Sequence, residues 1–180
     1  MELAATGRDG PDAARRQPSA PIFPSLPVCL GGALGWGALM AAGALLSLTL
    51  QGRAENFQLM RILVIYFAGG LAAWPLALPL ARFLTRHRPF ETRFAAHFAL
   101  LSLGTIAVTA FLFALDYRLF YAQWHHAPGT RIWIYHFVFT IAGAVYQFLV
   151  MGLSLYLPVG LPVVAGASLW LSRSIPRSIR

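Results

Sequence analysis

The stretch Arg131–Arg173, RIWIYHFVFTIAGAVYQFLVMGLSLYLPVGLPVVAGASLWLSR, carries no charge between its two terminal arginines. Whether it makes one membrane crossing or two decides the fold. As a single helix, its uncharged part would be about 60 Å long, twice the ~30 Å hydrocarbon thickness of a bilayer. Pro158 and Pro162, with Gly160 between them, interrupt helical continuity. Residues 132–157 are therefore read as one full crossing. Residues 159–171 would reach only about 20 Å as helix, short for a crossing of their own.

Upstream, three further apolar stretches match the length of a spanning helix: residues 26–50, 62–83 and 94–115, the second containing Pro75 and Pro79. Arginine placement arbitrates between four crossings and five. With four, Arg8, Arg15, Arg16, Arg82, Arg86, Arg88, Arg93, Arg173, Arg177 and Arg180 share one side, against Arg53, Arg61, Arg118 and Arg131. With five, the last three change sides and the bias vanishes. The biased arrangement is the expected one, with both termini cytoplasmic. Residues 158–180 then form an interfacial or re-entrant apolar segment and a basic C-terminus, a fifth crossing being the alternative. Tyr117, Tyr121, Trp124, Trp133 and Tyr135 cluster at the second outer loop, as an interfacial aromatic belt would.

The composition agrees. The 180 residues are 58% hydrophobic and only 11% charged, whereas soluble domains carry about 25% charged residues. Such a chain cannot cover a soluble globule with polar groups, so lipid is its solvent. The net charge of +8 follows from arginines lying between apolar segments. It points to membrane orientation rather than nucleic acid. All fourteen cations are Arg. That bias, with abundant Ala, Gly, Leu and Pro, fits a GC-rich bacterial genome and an inner-membrane location. Residues 1–25 are polar and rich in Pro, Ala and Gly, and are expected to be a disordered cytoplasmic tail. The lone Cys29 excludes an intrachain disulfide. The fold class is thus all-α, a polytopic four-helix transmembrane bundle spanning 26–157.

Gly31, Gly35, Ala38 and Ala42 share one face of the first helix, at spacings of four, three and four. Such a face lets backbones approach closely in lipid, within this chain or against another subunit. Helix three carries Ser102, Thr105, Thr109 and Asp116 on one stripe, and helix four carries His136, Thr140, Gln147 and Ser154 on another. Antiparallel neighbours would bring these stripes face to face and pair Asp116 with His136. The stripes act as packing glue or line a hydrated path. Arg82, Arg86, Arg88 and Arg93 in the inner loop are placed to meet lipid headgroups.

Several chemistries are excluded. His97 and His136 sit near opposite ends of their helices, about 20 Å apart in depth, so they cannot both ligate one haem. Asp116, His125, His126 and His136 show no metal-ligand spacing such as H-x-x-x-H. No acid falls mid-helix for proton coupling, and no nucleophile or phosphate-loop motif occurs. No metal, cofactor or enzymatic activity is expected. The expected function is a non-enzymatic accessory or assembly subunit of a larger membrane complex, with membrane lipids and other membrane subunits, or itself, as partners. The alternative is a small oligomeric transporter or lipid flippase using the two polar stripes; a third reading is a membrane enzyme or metal-binding protein centred on Asp116 and His136.

Overall fold

A computed structural model describes residues 25–55, 57–86, 88–124, 126–157 and 159–174. These residues are helical, with no strand among them. The helices are α1 (Leu26–Leu50), α2 (Leu59–Leu84), α3 (Phe90–Tyr121), α4 (Arg131–Gln147) and α5 (Gly160–Arg173). Four helical stretches are long and apolar enough to cross a membrane: Leu26–Leu50, Leu59–Leu84, Phe90–Trp124 and Arg131–Leu155. That is the pattern of a membrane protein. The tail before residue 25 lies outside the described residues.

The end holding Leu26, Leu84 and Phe90 is called here the near end. The end holding Leu50, Leu59 and Tyr121 is the far end. α1 and α2 pack antiparallel on a glycine crossing. A Cβ on Gly70 would stand 2.9 Å from the Gly37 Cα and 3.1 Å from the Trp36 carbonyl oxygen. A Cβ on Gly37 would stand 2.7 Å from the Phe67 carbonyl oxygen. Only a bare backbone fits on both sides. Gly69 likewise leaves the space that Thr109 of α3 occupies. Small residues thus draw α1, α2 and α3 into contact, as lipid-soluble helices require when apolar burial gives no net drive. α2 continues through Pro75 and Pro79, its only internal prolines.

Two of the expected helices differ from the sequence reading. α3 runs several residues past the apolar stretch 94–115 at both ends. Its polar far end stays helical because Asp116 is held by Arg61, and the Arg118 guanidinium lies over the Phe137 and Trp133 rings, 4.2 and 5.5 Å from their centroids. α4 stops at Gln147, ahead of the prolines, and passes into a π turn (Phe148–Gly152) and a 3-10 turn (Leu153–Leu155). Gly152 is the reason. A Cβ there would lie 2.6 Å from the Phe148 ring, so the wide turn needs a residue without a side chain.

Arg118 meets Phe137 on α4, while Phe113, five residues deeper on α3, meets Phe148 at the start of the π turn, eleven residues after Phe137. α4 therefore crosses α3 obliquely. The chain then descends: Tyr156 reaches Thr109, Val159 lies against Gly43, and Val164 and Leu171 of α5 join the core of Ala33, Trp36, Trp74, Leu78 and Leu101. At 14 residues α5 is about 21 Å long. It packs on α3 inside the near half. Residues 131–173 thus make a single descent in two pieces, the upper oblique and the lower buried.

Candidate functional site

Three groups of polar or small side chains compete as the functional site. The first is the pair of polar stripes, and the structure separates them. Trp36 Nε1 donates to Thr105 Oγ1 at 3.0 Å, and Tyr156 OH donates to Thr109 Oγ1 at 2.7 Å. Thr105 and Thr109 are both buried. They fasten α3 to α1 and to the irregular turn; they do not face α4. Ser102 is half-buried on the same helix. On α4, Thr140 donates to its own His136 carbonyl and Gln147 is exposed, while Ser154, in the 3-10 turn beyond it, donates to the Met151 carbonyl. Both hydroxyls bond the preceding turn. None of these hydrogen bonds joins the two stripes.

The expected Asp116–His136 pair gives way to another. Arg61 Nε lies 2.9 Å and 3.0 Å from the two Asp116 carboxylate oxygens, clasping α2 to α3 at the far end. The His136 ring instead lies 5.7 Å from the His126 ring, centroid to centroid. Among the described residues no three His, Cys, Asp or Glu converge as metal ligands would.

The irregular turn has its own set of hydroxyls, which no sequence spacing groups. Tyr66 OH donates to the Gly152 carbonyl, and Ser47 Oγ donates to the Leu155 carbonyl at 2.9 Å. A break from α-helix frees backbone carbonyls, and at membrane depth these must be met by protein groups. Tyr66 and Ser47 meet that need, and the Tyr156–Thr109 pair ties the turn to α3, so this cluster is structural.

The second group is the small-residue face of α1. Gly31, Gly35, Ala38 and Ala42 are all exposed, and a Cβ on Gly31 or Gly35 would meet nothing within 4 Å. Among the described residues nothing packs on this face, contrary to the expectation of packing within the chain. The in-chain crossing uses Gly37 and Gly70. At 3.6 residues per turn, the small face points roughly opposite to Ala33, Trp36, Met40 and Ala44, which are buried. Exposed Leu34 and Leu45 border it on one side, Leu39 and Leu46 on the other. The result is a shallow groove between leucine ridges.

The third group lies at the near end. The four inner-loop arginines divide there. Arg86 and Arg88 are exposed, Arg82 is half-buried, and Arg93 is only 9% exposed. His97, one turn beyond Arg93, is 1% exposed. Its Nδ1 stands 2.7 Å from the Arg93 carbonyl oxygen. Since a carbonyl only accepts, Nδ1 carries the proton. Nε2 is buried without a hydrogen-bond partner. Arg93, His97, Leu101, Thr105 and Thr109 recur every four residues and are all buried. That ladder was visible in the sequence. Following the serine and aspartate of α3 instead obscured it.

No protein-family model matches the chain, and no curated protein or solved structure is similar to it.

Proposed function

We propose that this protein is a non-enzymatic transmembrane subunit, an accessory or assembly factor that docks against other transmembrane helices. The observation that carries the reading is the outward groove of α1. Glycine inside a helix costs about 0.5–1 kcal/mol relative to alanine, and lipid gives nothing in return. An external helix does, by close packing of backbones. Exposed Gly143 and Gln147, one turn apart on α4, add support. An amide turned toward hydrocarbon is costly unless a partner bonds it.

The membrane is read as a bacterial inner membrane, with both termini cytoplasmic. Support for this comes from the arginine bias of the sequence and from α5, which descends to the same end of the bundle as the start of α1. The hydroxyls of Thr105, Thr109, Tyr156 and Ser47 are engaged in holding helices together, which fits a structural role better than a transport path.

The test is photo-crosslinking in native membranes from the full chain, with a benzophenone residue at Gly35 or, separately, at Gly143. A discrete adduct with a membrane protein, or with a second copy of this chain, is expected at Gly35. Adducts with lipid alone at both positions would sink the reading.

A further inference from the structure

We propose that Arg82, Arg93 and His97 form a binding site for a phosphomonoester headgroup of a lipid in the near-end leaflet. The inference rests on the membrane reading but not on the accessory role. Its anchor is His97. The imidazole is 1% exposed, Nδ1 is committed to the Arg93 carbonyl, and Nε2 has no hydrogen-bond partner. Burying a polar atom without a partner is costly, so native structures seldom tolerate one.

The surroundings define what would satisfy it. Among the described residues, the charges of Arg82 on α2 and Arg93 on α3 act on the imidazole. The near-end acid among the described residues is Glu91, which is exposed. No side chain caps the N-terminus of α3, whose helix dipole also favours an anion. Guanidinium groups bind phosphate oxygens through paired, charge-assisted hydrogen bonds. Neutral Nε2 accepts a proton donor. A singly protonated phosphomonoester offers both, anionic oxygens for the arginines and a P–O–H for Nε2. A phosphodiester without headgroup hydroxyls or amines has the oxygens but no proton to give. Arg86 and Arg88, exposed on the adjoining loop, remain outside the site.

The experiment is titration of the detergent-purified full chain with short-chain phosphatidic acid, short-chain phosphatidylmethanol (a diester with no headgroup hydroxyl) or inorganic phosphate, followed by native mass spectrometry. Phosphatidic acid is expected to bind most tightly. Arg82→Gln should weaken it about tenfold, the loss of one charge-assisted pair, while Arg88→Gln should change it by less than about twofold, as for an exposed charge. His97→Leu, which has no acceptor, should bring the monoester and the diester to equal affinity. His97 is buried, so thermal unfolding of each variant with and without lipid accompanies the titration. Half-buried Arg82 supplies the variant that tests the site if His97→Leu does not fold. Equal binding of phosphatidylmethanol by the natural protein overturns the proposal, as does an Arg88→Gln loss as large as that of Arg82→Gln. Equal binding of inorganic phosphate keeps the phosphate site and makes its occupant a soluble ion.

Discussion

The two long hairpins of this bundle are held by different means. In α1–α2 the backbones touch: Gly37 meets Gly70, Trp36 lies 5.8 Å from Trp74 ring to ring, and eight of α1's residues are buried along its length. In α3–α4 the contact is made by side-chain tips, with rings and guanidinium groups bridging a wide crossing, and Ala144 is the buried residue of α4. The difference follows from residue size at the crossing. Glycines admit a close, rigid seam that tolerates no added atom. Aromatics fill a loose seam that tolerates many. The first hairpin is therefore the scaffold, and the second an arm whose break at Phe148–Leu155 is pinned to it by hydroxyls.

The sharpest way to break this contrast is to add one methyl group in each place. Gly70→Ala puts a Cβ 2.9 Å from the Gly37 Cα, against backbone that cannot move aside. A loss of about 3 kcal/mol is expected, the upper part of the overpacking range. Gly35→Ala meets nothing within 4 Å and should leave stability unchanged or raised by about 0.5–1 kcal/mol. Unfolding in detergent, followed by tryptophan fluorescence, measures both. Equal effects would remove the distinction between the inward and outward glycines.

A smaller effect is expected where the arm is pinned. Thr109→Val keeps shape but strands the Tyr156 hydroxyl, which donates to Thr109 in a half-buried site. The cost should be about 1–3 kcal/mol. Adding Tyr156→Phe removes the stranded donor, so the double variant should recover part of that loss. Hydrogen exchange sharpens the point. In Thr109→Val, amides of residues 148–160 should open faster while those of α1 keep their protection. Uniform acceleration through the chain would show that arm and scaffold are one cooperative unit.

Much of this architecture was legible before any coordinates. Helix number and length follow from apolar runs near the length a bilayer demands, and α1 matches its expected limits residue for residue. What sequence periodicity does not say is which partner a face meets. Gly31, Gly35, Ala38 and Ala42 form a regular stripe, yet the crossing was made by Gly37, which belongs to no such pattern. The pattern marks a face fit for close packing; the direction of that face depends on how α2 and α3 arrange around α1. Asp116 met Arg61 rather than His136 for a similar reason. Antiparallel register was assumed for α3 and α4, and the oblique crossing shifted it. The turn at Phe148–Gly152 precedes the prolines that signalled a break, because it depends on one ring lying over one glycine.

The least costly change should be at the far end, where Arg61 and Asp116 join α2 to α3. Their side chains are 41% and 34% exposed, so water screens the pair and side-chain ordering offsets much of its attraction. Asp116→Asn should cost less than about 1 kcal/mol, and raising salt to about 0.5 M should shrink even that difference between variant and natural protein. The helices meet through Gly69 and Thr109 whether or not the ions pair. If Asp116→Asn instead destabilised the chain as much as Thr109→Val, the far-end clasp would be holding the scaffold together. The close glycine seam would then be a consequence of that clasp and not the cause of the fold.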